Sequence, residues 1–155
     1  MKAFNFPLES LRTLRKQREQ TAQQRYARLL VLCDGAAQVL QLAAEELNAG
    51  HTLLRGELKA GATAGRIINL QTWCTVLEIR RNECVAALAE ARRNAADAFR
   101  LMTAAVRERE ALDHFHDKSQ RVWQRAFHAE EQKMFDELAV QRQSAPTFEK
   151  SRLLN

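Results

Sequence analysis

From Leu70 onward the chain steps alternately by four and three through Leu70, Cys74, Leu77, Arg81, Cys84, Leu88, Ala91, Ala95, Ala98, Met102, Ala105, Arg109, Leu112, His116, Ser119, Trp123 and Ala126. All but Arg81, Arg109, His116 and Ser119 are apolar or small. A repeat sustained at ~3.5 residues per turn marks a helix that winds around a partner helix. The first third carries a matching series of Leu8, Leu11, Ala22, Leu29, Leu32, Ala36, Val39 and Ala43, with Leu14, Leu40, Leu47 and Leu54 on its flank. Arg15, Arg18 and Arg25 interrupt that series near its start. Between the two series lies the one cluster of helix breakers, Gly50, Gly56, Gly61 and Gly65. Pro7 and Glu9 suit a helix start, because proline is tolerated in a first turn and an acid favours the positive end of the dipole. Ser144 and Pro146 suit a stop.

The pattern therefore predicts an all-α fold, a long antiparallel two-helix coiled-coil hairpin with the second helix overhanging. Helix 1 is expected at about 8–58, a turn at 59–65 and helix 2 at about 66–143, together one coiled coil over 1–143, with a flexible tail at 144–155. An amphipathic helix of this kind needs a partner for its stripe, and a short connection makes neighbours antiparallel. With the turn near Gly61, position i faces roughly 125 − i, which sets Leu40 against Cys84 or Val85 and Leu29 against Ala95 or Ala96. At ~1.5 Å per residue the second helix runs ~115 Å against ~75 Å for the first. Past Ala126 the seam gives way to Trp123, Phe127, Met134, Phe135 and Leu138, a displaced stripe expected to lack an intramolecular partner and to bind another protein.

Composition agrees with long helices: the 155 residues include five glycines, two prolines and few aromatics. No unbroken run of ~18 apolar residues occurs, so no membrane span is expected. No secretory signal is recognised at the start. Cys33, Cys74 and Cys84 are an odd number without metal-type spacing, and Cys74 and Cys84 would lie ~15 Å apart on one helix, too far to bridge. A reducing, cytoplasmic setting fits. The net charge of +5 sits in the first thirty-one residues, where Lys2, Arg12, Arg15, Lys16, Arg18, Arg25 and Arg28 face only Glu9 and Glu19. Such an end attracts anionic partners or serves solubility.

Nothing in the chain spells out catalysis. His114 and His116 fall on different sides of a helix, and His128 with Glu131 supplies two ligands where zinc needs at least three from protein. The pairs Glu45-Glu46 and Glu130-Glu131 read as helix surface, since acid–base work requires a desolvated pocket. The glycine-rich stretch Gly61–Gly65 lacks the lysine and strand of a phosphate loop. The expectation is no enzyme, no metal and no cofactor. Nucleic acid is not expected as a partner, because the basic segment faces an in-chain helix and lacks a dense arginine cluster.

Three segments in order resemble the FliJ family of bacterial flagellar type III export. They are Phe4-Asn5-Phe6-Pro7-Leu8-Glu9-Ser10-Leu11 followed by Leu14-Arg15, then Ala60-Gly61-Ala62-Thr63 with Arg66, Ile68-Asn69, Gln71, Trp73, Leu77 and Glu78, and lastly Glu131-Gln132-Lys133-Met134-Phe135-Asp136-Glu137. The resemblance covers about residues 1–142. It implies a two-helix coiled coil like the rotor stalk of rotary ATPases, seated at the centre of the hexameric export ATPase, contacting the export gate membrane protein and escorting export chaperones. It also implies a cytoplasmic protein, peripheral at the inner membrane through its partners. A related stalk of virulence injectisomes and a self-assembling structural coiled coil remain as alternatives.

By the same resemblance Trp73 and Leu77, one helical turn apart, form the export-gate contact, although Leu77 also falls on the expected seam. The ATPase-ring contact is placed on Phe4 and Phe6, on Phe127, Gln132, Lys133, Met134 and Asp136 of the overhanging stripe, and on Arg12, Arg15, Lys16 and Arg18 as groups that steer toward an acidic ring lining.

Overall fold

A computed structural model describes residues 3–144; the expected tail beyond Ser144, with Pro146, lies outside the described residues. The protein is an all-α hairpin of two long helices, α1 (Glu9–Ala60) and α2 (Ala64–Ser144). The Phe6 carbonyl accepts from the Glu9 amide, and the Leu8 carbonyl accepts the first helical bond, from the Arg12 amide. Pro7 thus stands just outside α1, where its missing N–H leaves nothing unpaired.

The turn is three residues, Gly61 to Thr63. Gly61 adopts φ 74°, the left-handed region that costs a Cβ-bearing residue ~1–2 kcal/mol. The Ala62 amide donates to the Glu57 carbonyl at 3.1 Å and the Gly61 amide to the Leu58 carbonyl at 3.3 Å. That pair of bonds closes α1 by capping two of its last free carbonyls. Thr63 then accepts the first bond of α2, from the Ile67 amide.

The chain divides into two compact units, Leu14–Glu108 and the residues up to Thr13 together with those from Arg109 onward. In the first, the two helices pack through small and aliphatic side chains: Ala43, Leu47, Cys74, Leu77, Leu88, Ala95 and Ala98 are buried. Gly50 marks the closest approach, since a Cβ there would lie 3.2 Å from Leu77 Cδ1 and 3.3 Å from Cys74 Sγ. The facing pairs obey the predicted rule. Glu46–Arg80, Tyr26–Phe99, Arg15–Glu108, Gly50–Cys74 and Glu57–Arg66 have numbers summing to between 123 and 126.

On α2 the expected seam is covered, wholly or partly, from Leu70 through Trp123, and Ala126 is exposed. On α1 the expectation needs correction. The covered positions include Ala22, Tyr26, Leu29, Cys33, Ala36, Leu40, Ala43, Leu47, Gly50, Leu54 and Glu57, again in steps of three and four. Leu8, Leu11, Leu32 and Val39, assigned to the seam from sequence, are exposed; of the expected flank Leu14 is exposed too, while Leu40, Leu47 and Leu54 are the true interior. The cause is that α1 carries apolar residues on two neighbouring stripes with the same period, and spacing alone cannot rank them.

That second stripe also explains a departure in hydropathy. One 18-residue window of α1 has mean hydropathy 1.3 and is long and apolar enough to cross a membrane by length and composition; 6% of it is buried. No unbroken apolar run was expected, and none is needed, because an average tolerates interruption by Asp34 and Gln38.

In the second unit, Phe4 and Phe6 precede α1 and lie against α2. Phe6 is 5.8 Å from Phe115 and 4.9 Å from His116, centroid to centroid. Phe4 stands 5.7 Å from His116 and 5.9 Å from Trp123, and Trp123 stacks on Phe127 at 5.2 Å. Edge-on and offset contacts of this kind are the favoured aromatic geometries.

Candidate functional site

What the described residues offer is edges and ends. The clearest edge lies on α2, where Arg66, Trp73, Arg80, Ala87, Asn94, Leu101 and Glu108 follow one another every seventh residue. At ~3.5 residues per turn they share one side of the helix, beside the seam. Three are tied to α1. Arg66 pairs with Glu57 at 2.8 Å, Arg80 with Glu46 at 3.1 Å, and Glu108 with Arg15. Trp73 sits between the first two pairs and keeps 53% of its surface exposed.

Leu77, four residues on and about 40° further round the helix, turns in toward α1. It is 4% exposed, wedged against Gly50. Trp73 and Leu77 therefore do not make one surface: the border of the hairpin passes between them, and only Trp73 is offered to a partner. Of the two residues expected to form the gate contact, Leu77 is covered by α1, as its seam position implies.

The residues assigned to the ATPase ring fall into three groups. Phe6 is 6% exposed, so it is part of the interior of its unit and not a free contact; Phe4 is half-buried beside it. Arg12 and Arg15 are neutralised within the chain. Arg12 Nε donates to Asp113 Oδ1 at 2.6 Å, Arg109 Nη1 donates to Asp113 Oδ2 at 2.8 Å, and Arg15 pairs with Glu108. The bonds from Arg12 and then Arg109 hold the Asp113 carboxyl below its ordinary range, and the same Arg12–Asp113 bond raises the Arg12 guanidinium above its already high one. Steering by Arg12 and Arg15 is correspondingly weakened, which leaves Lys16 and Arg18, both exposed. In the third group, Gln132, Lys133, Met134 and Asp136 are exposed with Phe135 and Leu138, while Phe127 is half-covered beneath Trp123.

Sequence reasoning missed Asp113 and Phe115. Asp113 stands outside every motif of the sequence, and the signal that marks it is the pairing rule itself, since 125 − 12 is 113. Phe115 lies off the seam and is drawn in only because the chain ahead of α1 folds back on α2.

Among the described residues no group of three or more His, Cys, Asp or Glu is placed to hold a metal ion. His128 Nδ1 lies 3.4 Å from Glu131 Oε2 and forms a lone pair with it, and Cys33, Cys74 and Cys84 are free thiols.

A family model described as flagellar FliJ protein matches residues 4–146. Neither the curated proteins nor the solved structures contain a match.

Proposed function

Because the chain belongs to the flagellar FliJ family, non-catalytic components of type III protein export, we propose that it is the central stalk of the hexameric export ATPase, couples that ring to the export gate and escorts export chaperones. On this reading it works in the cytoplasm and reaches the inner membrane through its partners. The observation that carries the proposal is Trp73: an aromatic anchor left half-exposed on an edge whose neighbours seven residues away are tied in ion pairs. Exposed aromatics on rigid elements are the residues around which protein interfaces concentrate their energy. The contact with the ring is assigned to Met134, Asp136, Gln132 and Lys133 on the bare end of α2, supported by the exposure of Phe135 and Leu138 beside them.

The mechanism is mechanical. A continuous helix resists bending, so a displacement at one position is passed along it without chemistry. Mild, mostly polar contacts allow rotation or rebinding in a ring, whereas a large apolar interface would lock the partners together.

Two assays test the reading. With the cytosolic domain of the gate protein, Trp73→Ala weakens binding by roughly tenfold or more and leaves thermal stability unchanged; undiminished binding refutes the gate contact. With the cognate export ATPase, Met134→Ala and Phe135→Ala lower the stimulation of hydrolysis and the yield of hexamer. If they change neither, and the chain instead forms a concentration-dependent dimer through Phe127, Met134 and Leu138, it is a self-assembling coiled coil. Substituting an injectisome ATPase in the same assay decides which apparatus it serves.

A further inference from the structure

The exposed stripe of α1 has a period of its own. Leu14, Arg18, Thr21, Arg25, Arg28 and Leu32 follow in steps of four and three, all exposed, parallel to the covered seam. The helix thus has two coiled-coil stripes, one used by α2 and one unused. At the N-terminal end of the unused stripe the surface is concave: Leu14, Arg18, Ala22 and Arg25 of α1 with Ala98 and Leu101 of α2 line a groove of about 410 Å³. The alanines make its floor, Leu14 and Leu101 expose apolar side chains at its margins, and the two arginines stand seven residues apart on one rim.

Charge says what kind of partner fits. Along the same side of the unit, charged residues of α1 are matched by α2: Arg15 by Glu108, Glu46 by Arg80, Glu57 by Arg66. Opposite the groove the α2 edge supplies Leu101, Asn94 and Ala87, none of which carries charge. Among the described residues no carboxylate lies within ion-pairing distance of Arg18, Arg25 or Arg28. Three like charges beside an apolar floor disfavour a second copy of this chain, whose equivalent stripe brings the same arginines and, as its one acid, Glu46, which Arg80 already holds. They disfavour nucleic acid less by charge than by shape, since a phosphate backbone has no use for Leu14, Leu32 and Leu101.

We propose that this groove receives an acidic amphipathic helix of a partner protein, laid along α1 as the third strand of a coiled coil. Its apolar stripe covers Leu14 and Leu101, and carboxylates about one heptad apart meet Arg18 and Arg25. Helix-in-groove recognition combines these features, with apolar anchors for affinity and flanking charges for orientation and register. The assignment goes beyond the ring contact of Arg18, because it names the chemistry of the occupant and holds whether or not the stalk reading does.

The test uses the full chain and synthetic helical peptides of about 21 residues, three heptads, with leucine at alternating three and four spacing and flanking glutamates. Fluorescence anisotropy is expected to show saturable binding that weakens by about tenfold on moving from low to high salt. Arg18→Glu combined with Arg25→Glu is expected to weaken it roughly tenfold or more, and Leu101→Ala several-fold. Lys118→Glu, exposed in the other unit, leaves it unchanged, and a peptide with lysines for the glutamates does not bind. Circular dichroism verifies that each variant keeps its helices. Three results overturn the proposal: no binding up to roughly millimolar peptide, equal loss in Lys118→Glu and in the double arginine variant, or full displacement by duplex DNA together with indifference to Leu101→Ala. The last would make the groove a general polyanion surface.

Discussion

Between Leu14 and Glu108 the interior is made of Ala43, Leu47, Leu77, Leu88, Ala95 and Ala98; outside that stretch it is made of rings, Phe6 against Phe115 and His116, Phe4 against Trp123. The difference follows from what each segment of α2 has opposite it. Where a second helix runs alongside, the backbones approach closely enough that Gly50 is needed at one point, and small side chains fill the space. Where the opposing chain is the short segment ahead of α1, each of its residues must cover more helix surface, and only flat, wide groups do so. The polar contacts differ likewise. The hairpin borders are stitched by single exposed ion pairs, worth little each, whereas Asp113 accepts from two guanidiniums at once. A long hairpin of this kind is stabilised along its length, and an arm is stabilised at one spot.

The sharpest way to break that comparison is to empty each interior in turn. Leu77→Ala removes a buried branched side chain from the hairpin and is expected to cost about 2–4 kcal/mol in urea unfolding followed by circular dichroism. Leu32→Ala, on the stripe wrongly taken for the seam, is expected to cost under about 0.5 kcal/mol; equal losses would mean that the two stripes share the burden. Phe6→Ala is expected to cost about 1–3 kcal/mol, less than a fully enclosed phenylalanine, because a terminal arm frays instead of leaving a cavity. Its signature is a change in Trp123 fluorescence that precedes loss of helix. If fluorescence and helix melt together, the arm is no separate element.

Those two stripes also show how far the chain alone could be read. The register of α2 was legible from Leu70 to Trp123, because one apolar stripe runs that far with Arg81, Arg109, His116 and Ser119 as its only interruptions. The register of α1 was half legible: Ala22, Leu29, Ala36 and Ala43 were placed inside, but Leu32 and Val39 were preferred to Leu40 and Leu47. Between Leu29 and Leu54 both stripes carry apolar residues, and only the partner helix chooses between them. Pairing by complementary numbers was readable from Gly61 alone, whereas Phe4 and Phe6 were placed as partner contacts and their packing on α2 was not read, since so short a segment has no period. Trp73 was found through family resemblance and kept its exposure; Leu77 shared the resemblance and lost it to the seam.

Smaller effects sharpen the picture. Gly61→Ala, at φ 74°, is expected to cost about 1 kcal/mol, whereas Gly35→Ala, with open space around its Cβ position, is expected to stabilise by up to about 1 kcal/mol. A stability gain in both would show that the turn can relax. The smallest effect is linked to pH. Because Asp113 titrates below its unfolded range, its contribution is complete above about pH 4 and disappears as pH falls through its folded value. Wild type is therefore expected to exceed Asp113→Asn in melting temperature at neutral pH, and the two are expected to converge in acid. A gap that stays constant with pH would assign the effect to packing.

The seventh-residue edge of α2, from Arg66 to Glu108, sets a rule for how such a chain tolerates insertions and deletions. One added residue anywhere between Trp73 and Leu101 turns everything beyond it by about 100°, swinging Leu101 and Glu108 off the side that meets α1. A block of seven removed from each helix at facing positions restores both edges and shortens the paired stretch by about 10 Å. Changes in length are therefore admissible only in matched heptads, and a lengthened or shortened variant that obeys this count retains every lateral contact outside the altered heptad.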